Sequence, residues 1–377
     1  MLVHIWSLNL SILESFSVNQ SYNDSTEDPL FPHRLSRTGH TVVAIFLGII
    51  LFFGFFNNLL VLLVFAKFRC LWTPINLILL NISVSDILVC IFGTPFSFAA
   101  NVYGRWLIGD LGCQWYGFAN SLFGIVSLVS MSILSYERYT TLLCPTKADL
   151  SDFRKAWLWV AGSWLYSLMW TLPPLLGWSH YGPEGPGTSC SVEWRRRSVG
   201  GMSYVVCLFV FCLALPLLLM LLCYIRILQF IREVSVDGSA QRRQNHILRM
   251  VIIMVSCYLL CWMPYGLMAL VATFGETGLV TSVMSVVPAV LAKSSTVLNP
   301  IIYVLFNDQF YRCFVAFVKR GAEPQPSYSF NPQKSSREEP GLGSSPGHRR
   351  SHSLRHSSRR PLRRGTRTLS LVVHYTP

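Results

Sequence analysis

Charge is scarce in this chain of 377 residues: 13% of positions are Asp, Glu, Lys or Arg, against 52% apolar. A soluble globular domain carries about 25% charged residues, so an ordinary soluble enzyme or binding module is excluded as a reading of the whole chain. The scarcity is most severe in seven apolar stretches, at about 42–65, 77–100, 111–136, 157–176, 202–225, 250–274 and 279–306, whose only formal charges are Asp86 and Lys293. Cysteine occurs eleven times but at no spacing that would hold zinc, so no metal site is expected. No inverted repeat is evident, and one buried cation makes no continuous polar path, which argues against a transporter or channel. Residues 1–16 contain Glu14 and lack a basic start and a small-residue cleavage site, so they do not read as a secretion signal.

What is present is enough apolar length for seven membrane crossings, each needing roughly 20 residues as helix. Backbone groups cannot be left free in lipid, so the expectation is an all-α membrane protein, a seven-helix transmembrane bundle over 41–306. Pro95, Pro173, Pro174, Pro216, Pro264, Pro288 and Pro300 fall inside the stretches and read as kinks. An odd number of crossings puts the two termini on opposite sides. Asn-x-Ser sequons at Asn9, Asn19 and Asn23 make residues 1–40 an extracellular, N-glycosylated segment. Lys67 and Arg69, Lys147, Arg154 and Lys155, and Arg226, Arg232, Arg242 and Arg243 then fall on the cytoplasmic side, as the positive-inside tendency requires. Arg195, Arg196 and Arg197 run against it. Two cysteines lie at outside ends, and an oxidising exterior makes Cys113–Cys190 the expected disulfide.

Residues 307–320 read as an amphipathic helix on the inner membrane face, with Phe310, Phe314 and Phe317 dipping into lipid and Cys313 a candidate for acylation. Residues 321–377 read as a disordered basic tail rich in Ser and Arg. Residues 319–377 hold twelve Lys/Arg and three Glu, most of the chain's net +13. Tethered at a membrane, such a tail is expected to meet anionic lipid and not nucleic acid. Phosphorylation at Ser351, Ser353, Ser357, Ser358, Thr366, Thr368 or Ser370 would cancel that attraction.

Lys293 is the most informative residue. A cation near the bilayer centre costs at least about 2.5–3.5 kcal/mol, so a buried amine needs a use. It can pair with a carboxylate, line a polar path, or form a covalent imine with an aldehyde.

Short strings around it converge. Glu137-Arg138-Tyr139 closes the third stretch, Cys261-Trp262-Met263-Pro264-Tyr265 lies in the sixth, and Asn299-Pro300-Ile301-Ile302-Tyr303 ends the seventh. Asn58 lies in the first, Asp86 in the second, and Trp106 precedes Cys113. With all of these in order over residues about 40–320, the chain resembles the rhodopsin-like G-protein-coupled receptors. Lys293, six residues before Asn299, narrows the resemblance to the opsins. The string Gly177 to Trp194 and the run Ser121 to Tyr139 look most like the encephalopsin and multiple-tissue opsin group of non-visual opsins.

The resemblance implies retinal bound as a Schiff base on Lys293, 11-cis in the dark and all-trans after light. A protonated imine in a dry pocket needs an anion, since burial alone disfavours the charged form. Where vertebrate visual opsins carry Glu, three residues after Cys113, this chain has Tyr116. The family's other site, six residues before the loop cysteine, is Glu184. Glu184 is therefore the expected counterion and Tyr116 its hydrogen-bonding partner, with a photoproduct that keeps its chromophore and can be photoreverted. Asn120, Ser121, Gly124, Trp262 and Tyr265 are expected to line the pocket, with Tyr116, Asn120 and Gly124 on one helical face. Asn58, Asp86 and Asn299 would form a polar network through waters. A direct Asp86–Lys293 salt bridge is the rival arrangement. Glu137 would hold Arg138 at rest. Gln244 stands where many opsins carry a Glu facing that arginine, which would weaken the clamp. Arg138, Tyr139, Asn299, Pro300 and Tyr303 would serve G-protein coupling.

The expected function is thus a plasma-membrane photoreceptor, not an enzyme, activating a heterotrimeric G protein of the Gi/Go class. Arrestin and a receptor kinase would act on the tail. A retinal photoisomerase using the same lysine stays open, as does a receptor in which Lys293 pairs with an acidic diffusible ligand. G-protein turnover under light separates the first, and a Lys293→Arg variant the second.

Overall fold

A computed structural model describes residues 35–143, 153–195, 197–233, 238–276 and 279–319. Asn9, Asn19, Asn23, Cys144, Lys147, Arg196 and the tail residues after 319 lie outside the described residues, as do the side chains of Gln244 and Tyr303.

The described residues build eight α-helices and one hairpin. Helix α1 runs Arg37–Lys67 and starts where the Ser36 side chain accepts from Gly39 N. Helix α2 spans Pro74–Tyr103, with Thr73 as its N-cap and Pro74 in the first turn. Helix α3 runs Gly109–Leu143 and α4 Phe153–Thr171. Helix α5 consists of Val199–Cys207, a π-helical stretch Leu208–Ala214 and Leu215–Glu233. Helix α6 runs Gly238–Phe274 and α7 Ser282–Phe306. The short α8, Asp308–Val318, is capped by Asn307, whose side chain accepts from Phe310 N. Strands β1 (Tyr181–Glu184) and β2 (Ser189–Val192) pair antiparallel between α4 and α5.

Helix α3 is the hub, packing on α2, α4 and α5 and against both strands, while α7 packs on α6 and α1. The largest core cluster gathers Ile78 and Ile82 of α2, Leu128 and Leu134 of α3, Met220 and Ile227 of α5, Tyr258 of α6 and Ile302 of α7. Large apolar side chains such as Phe46, Phe52 and Phe56 of α1 point outward, the surface that a bundle offers to lipid. Among the described residues, six helices are long and apolar enough to cross a membrane. The exception is α4, whose four tryptophans, Ser163, Ser167 and first-turn Arg154 and Lys155 dilute its apolar character.

Three expectations are corrected. Pro173 and Pro174 do not kink a helix over 157–176: α4 ends at Thr171 and they open a 3-10 turn, Pro173–Leu176, since proline cannot continue the hydrogen-bond ladder. The break in α2 falls at Gly93, with Pro95 in the first turn of the continuation Thr94–Tyr103. Phe310 does not dip into lipid. It is 1% exposed and packs on Phe65 of α1 at 5.7 Å between ring centroids, with Phe314 and Phe317 against the same cluster. Among the described α8 side chains, Tyr311, Arg312 and Val318 face outward.

Candidate functional site

The hairpin closes one end of the bundle over a cavity. Cys190 of β2 is bonded to Cys113 in the first turns of α3, with 5.4 Å between their Cα atoms. The hairpin register places Pro183 opposite Cys190 and Glu184 opposite Ser189. The disulfide thus fixes the depth at which Glu184 enters. Glu184, the last residue of β1, is 8% exposed.

The cavity spans about 1160 Å³ of space between atoms, including the solvent at its open mouth. Tyr116, Asn120, Ser121 and Gly124 from α3, Glu184 from β1, Trp262 and Tyr265 from α6, and Lys293 from α7 are among its lining residues. Among the described lining residues, Lys293 is the one cation. Its Nζ donates to Asn120 Oδ1 at 3.3 Å and lies 5.3 Å from the centre of the Tyr116 ring. Asn120 Nδ2 in turn donates to the Tyr116 carbonyl at 2.8 Å, one turn back on α3.

Glu184 is engaged from the other side, where Tyr265 OH donates to its Oε2 at 3.4 Å. Burial pushes the Glu184 carboxyl up from the usual 4.5 to about 7. The charge of Lys293 and donors from Ser191, Tyr265 and Ser189 hold it from rising further. Among the described residues no ion pair within 4 Å joins Lys293 to Glu184 or to Asp86. The acid and the amine thus line the same cavity without an ion-pair contact between them.

Two glycines make the geometry possible. A Cβ on Gly124 would stand 2.8 Å from Trp262 Cη2, so the bare backbone lets the indole lie against α3. A Cβ on Gly93 would stand 2.2 Å from Asn120 Oδ1, the atom that accepts from Lys293. Gly93 was not among the residues expected at the site; the Gly-Thr-Pro string inside an apolar run was its signal. Trp194, edge-on to Tyr265 at 5.0 Å, and the π-helical stretch of α5 also line the cavity and were not expected. Carbonyls of that stretch are taken by Tyr258 OH on Leu213 O at 2.7 Å and Tyr166 OH on Phe211 O at 2.9 Å.

The polar network runs along the same side of the bundle. Asn299 Nδ2 donates directly to Asp86 Oδ2 at 2.8 Å and to Ser127 Oγ at 3.4 Å. Asn58 Nδ2 reaches Thr296 O and Gly54 O, both at 2.8 Å. Asn58 therefore ties α1 to the α7 backbone, and Asn299 ties α7 to Asp86. At the far end, Glu137 Oε1 is held by Lys155 Nζ at 2.8 Å and by Trp159 Nε1 at 2.8 Å, both from α4. Arg138, expected as the partner of Glu137, is half-buried beside it.

A bundle of this topology, with a disulfide-pinned hairpin over a lysine-bearing cavity, defines a seven-helix receptor, and the comparisons agree. Residues 57–303 match the family described as 7 transmembrane receptor (rhodopsin family). The chain is 36% identical to Pinopsin of Columba livia over 303 residues, covering 79% of this chain and 87% of that one. It is 38% identical to Opsin-3 of Mus musculus over 292 residues, covering 75% and 71%, and 36% identical to Melanopsin of Phodopus sungorus over 277 residues, covering 70% and 59%. Squid rhodopsin superposes with a TM-score of 0.71 at 26% identity, covering 79% of this chain and 91% of that one. The chain belongs to the rhodopsin family of seven-transmembrane receptors and, within it, to the opsins, the photoreceptor branch.

Proposed function

We propose that the chain is a non-visual photoreceptor that carries retinal on Lys293 and, under light, activates a heterotrimeric G protein of the Gi/Go class. The observation that carries this reading is Lys293 itself, a primary amine reaching into a largely apolar cavity with a buried carboxylate in the same wall.

The residues fit the group. Leu208, Phe209, Trp262 and Ala269 line the cavity and offer apolar surface to the polyene's body. Tyr116 OH is buried there without a hydrogen-bond partner among the described residues, a donor available to whatever lies against it. Bound as an imine on Lys293, a conjugated aldehyde supplies visible absorption and a double bond that light isomerises from 11-cis to all-trans.

The protein does the rest. Glu184 supplies negative charge for a cation held at Nζ, and Tyr265 orients that carboxylate. Asn120 fixes the direction of the Lys293 side chain. Trp262, lodged against Gly124, blocks α6 near Pro264 until it is displaced. The Asn299–Asp86 hydrogen bond passes a shift of α7 to α2 and α3. At the G-protein end, release of Glu137 from Lys155 and Trp159 frees the Glu137-Arg138-Tyr139 segment for coupling, in which Pro300 and Tyr303 also serve. The chain sits in the plasma membrane with its N-terminus outside, and arrestin and a receptor kinase act on its tail.

The test is an absorption spectrum of purified protein regenerated with 11-cis-retinal, trapped with borohydride, beside Lys293→Ala. The proposal expects a visible or near-ultraviolet band that becomes a covalent adduct and is absent from the variant. No band, or a band that persists in Lys293→Ala, overturns it.

A further inference from the structure

At the end of the bundle away from the hairpin, two cysteines from opposite ends of the sequence meet. Cys70 stands in the helical turn Arg69–Leu71 that follows α1, and Cys313 is on α8. They are 243 residues apart in sequence, and their Sγ atoms are 3.2 Å apart. A disulfide needs about 2.05 Å between the sulfurs, so closure asks for a shift of about an ångström.

The approach is built, not incidental. Gln309 Nε2 donates to the carbonyl of Cys70 itself at 2.5 Å. Asn307, the cap of α8, donates to Asn76 Oδ1 at 3.2 Å, and Asn76 Nδ2 donates to Leu71 O at 2.9 Å. Phe310, one turn before Cys313, is buried on Phe65. These contacts hold the turn and the helix together on both flanks of the sulfurs. The two thiols also differ in access: Cys313 is 1% exposed, whereas Cys70 is half-buried. An acyl chain on Cys313 would have to push into the cluster of Val61, Phe65 and Leu71, so the burial argues against acylation there.

We propose that Cys70 and Cys313 form an oxidisable dithiol, at which a peroxide closes a covalent strap between the turn after α1 and α8. The Cys70 thiolate attacks one peroxide oxygen, and with a proton gained by the leaving oxygen this gives a sulfenic acid and water. The Cys313 sulfur then attacks the Cys70 sulfur. A disulfide forms, the sulfenic hydroxyl leaves with the Cys313 proton as a second water, and the peroxide has been reduced by two electrons. Among the described residues, one cysteine pair is bonded at the hairpin end and another lies in contact as thiols at the far end. On the reading that this second end faces the cytoplasm, thiols there are normally kept reduced and a bond would be transient and redox-sensing.

The test uses the full chain in detergent micelles, treated with hydrogen peroxide, alkylated and digested without reductant. The expected product is a peptide pair joined through Cys70 and Cys313, lighter by two hydrogens and separated by dithiothreitol, with slower amide exchange over 308–318. In Cys313→Ser, dimedone should trap Cys70 as its sulfenic acid and the cross-link should vanish. Both thiols remaining fully alkylatable after peroxide, cross-links from either to another cysteine, or an acyl chain on Cys313 would each overturn the proposal. None of these readouts depends on retinal or on signalling.

Discussion

Replacing Glu184 by Gln removes the one carboxylate that the hairpin carries into the cavity, and the sign and size of the effect on stability follow from its surroundings. Burial raises this carboxyl from 4.5 to about 7 against the pull of Lys293 and the hydroxyl donors. A group that binds its proton more tightly folded than unfolded contributes stability that is complete below pH 4.5 and is lost as pH rises through about 7. The interval between those values, at about 1.36 kcal/mol for each pH unit, corresponds to about 3 kcal/mol. Gln keeps an acceptor for Tyr265 OH and cannot ionise. Retinal-free Glu184→Gln should therefore match the native protein near pH 4.5 and exceed it at pH 8 by up to that amount. Thermal melts in detergent, followed by a thiol-reactive dye that reads exposure of the buried cysteines, supply the comparison. A variant that melts with the same pH slope as the native protein, or earlier at pH 8, refutes the reasoning. With retinal bound, the same substitution should move the absorption band toward the near ultraviolet, because a positive charge at Nζ loses its partner.

Gly124→Ala puts a methyl 2.8 Å from Trp262 Cη2; overpacking of this kind costs about 1–3 kcal/mol, read as an earlier melt and altered tryptophan fluorescence. Asn299→Ala takes the 2.8 Å donor from buried Asp86 and should cost about 1–3 kcal/mol. In an Asp86→Asn background that cost should shrink, because the carboxylate is gone. Cys113→Ser removes the bond that pins the hairpin, a loss of about 2–5 kcal/mol. Limited proteolysis should then cut between Tyr181 and Val192, where the native protein resists.

Much of this protein was legible in order along the chain. The bilayer leaves only helices for long apolar runs, so the crossings could be counted before any fold was seen, and the cost of a buried amine singled out Lys293. Redox logic alone paired Cys113 with Cys190. Residues that share a helical face, such as Tyr116, Asn120 and Gly124, could be placed together because the period of a helix is fixed. Distances between helices were decided only by tertiary packing. The sequence could name Glu184 but could not say that the hairpin buries it, or that Asn120 and Tyr265 take the hydrogen bonds while amine and acid stay apart. Nor could it show that α4 supplies the partners of Glu137, that Phe310 turns inward onto α1, or that Cys70 and Cys313 touch. Those outcomes depend on where side chains from distant stretches meet, and pattern along one helix carries no information about the face its neighbour presents.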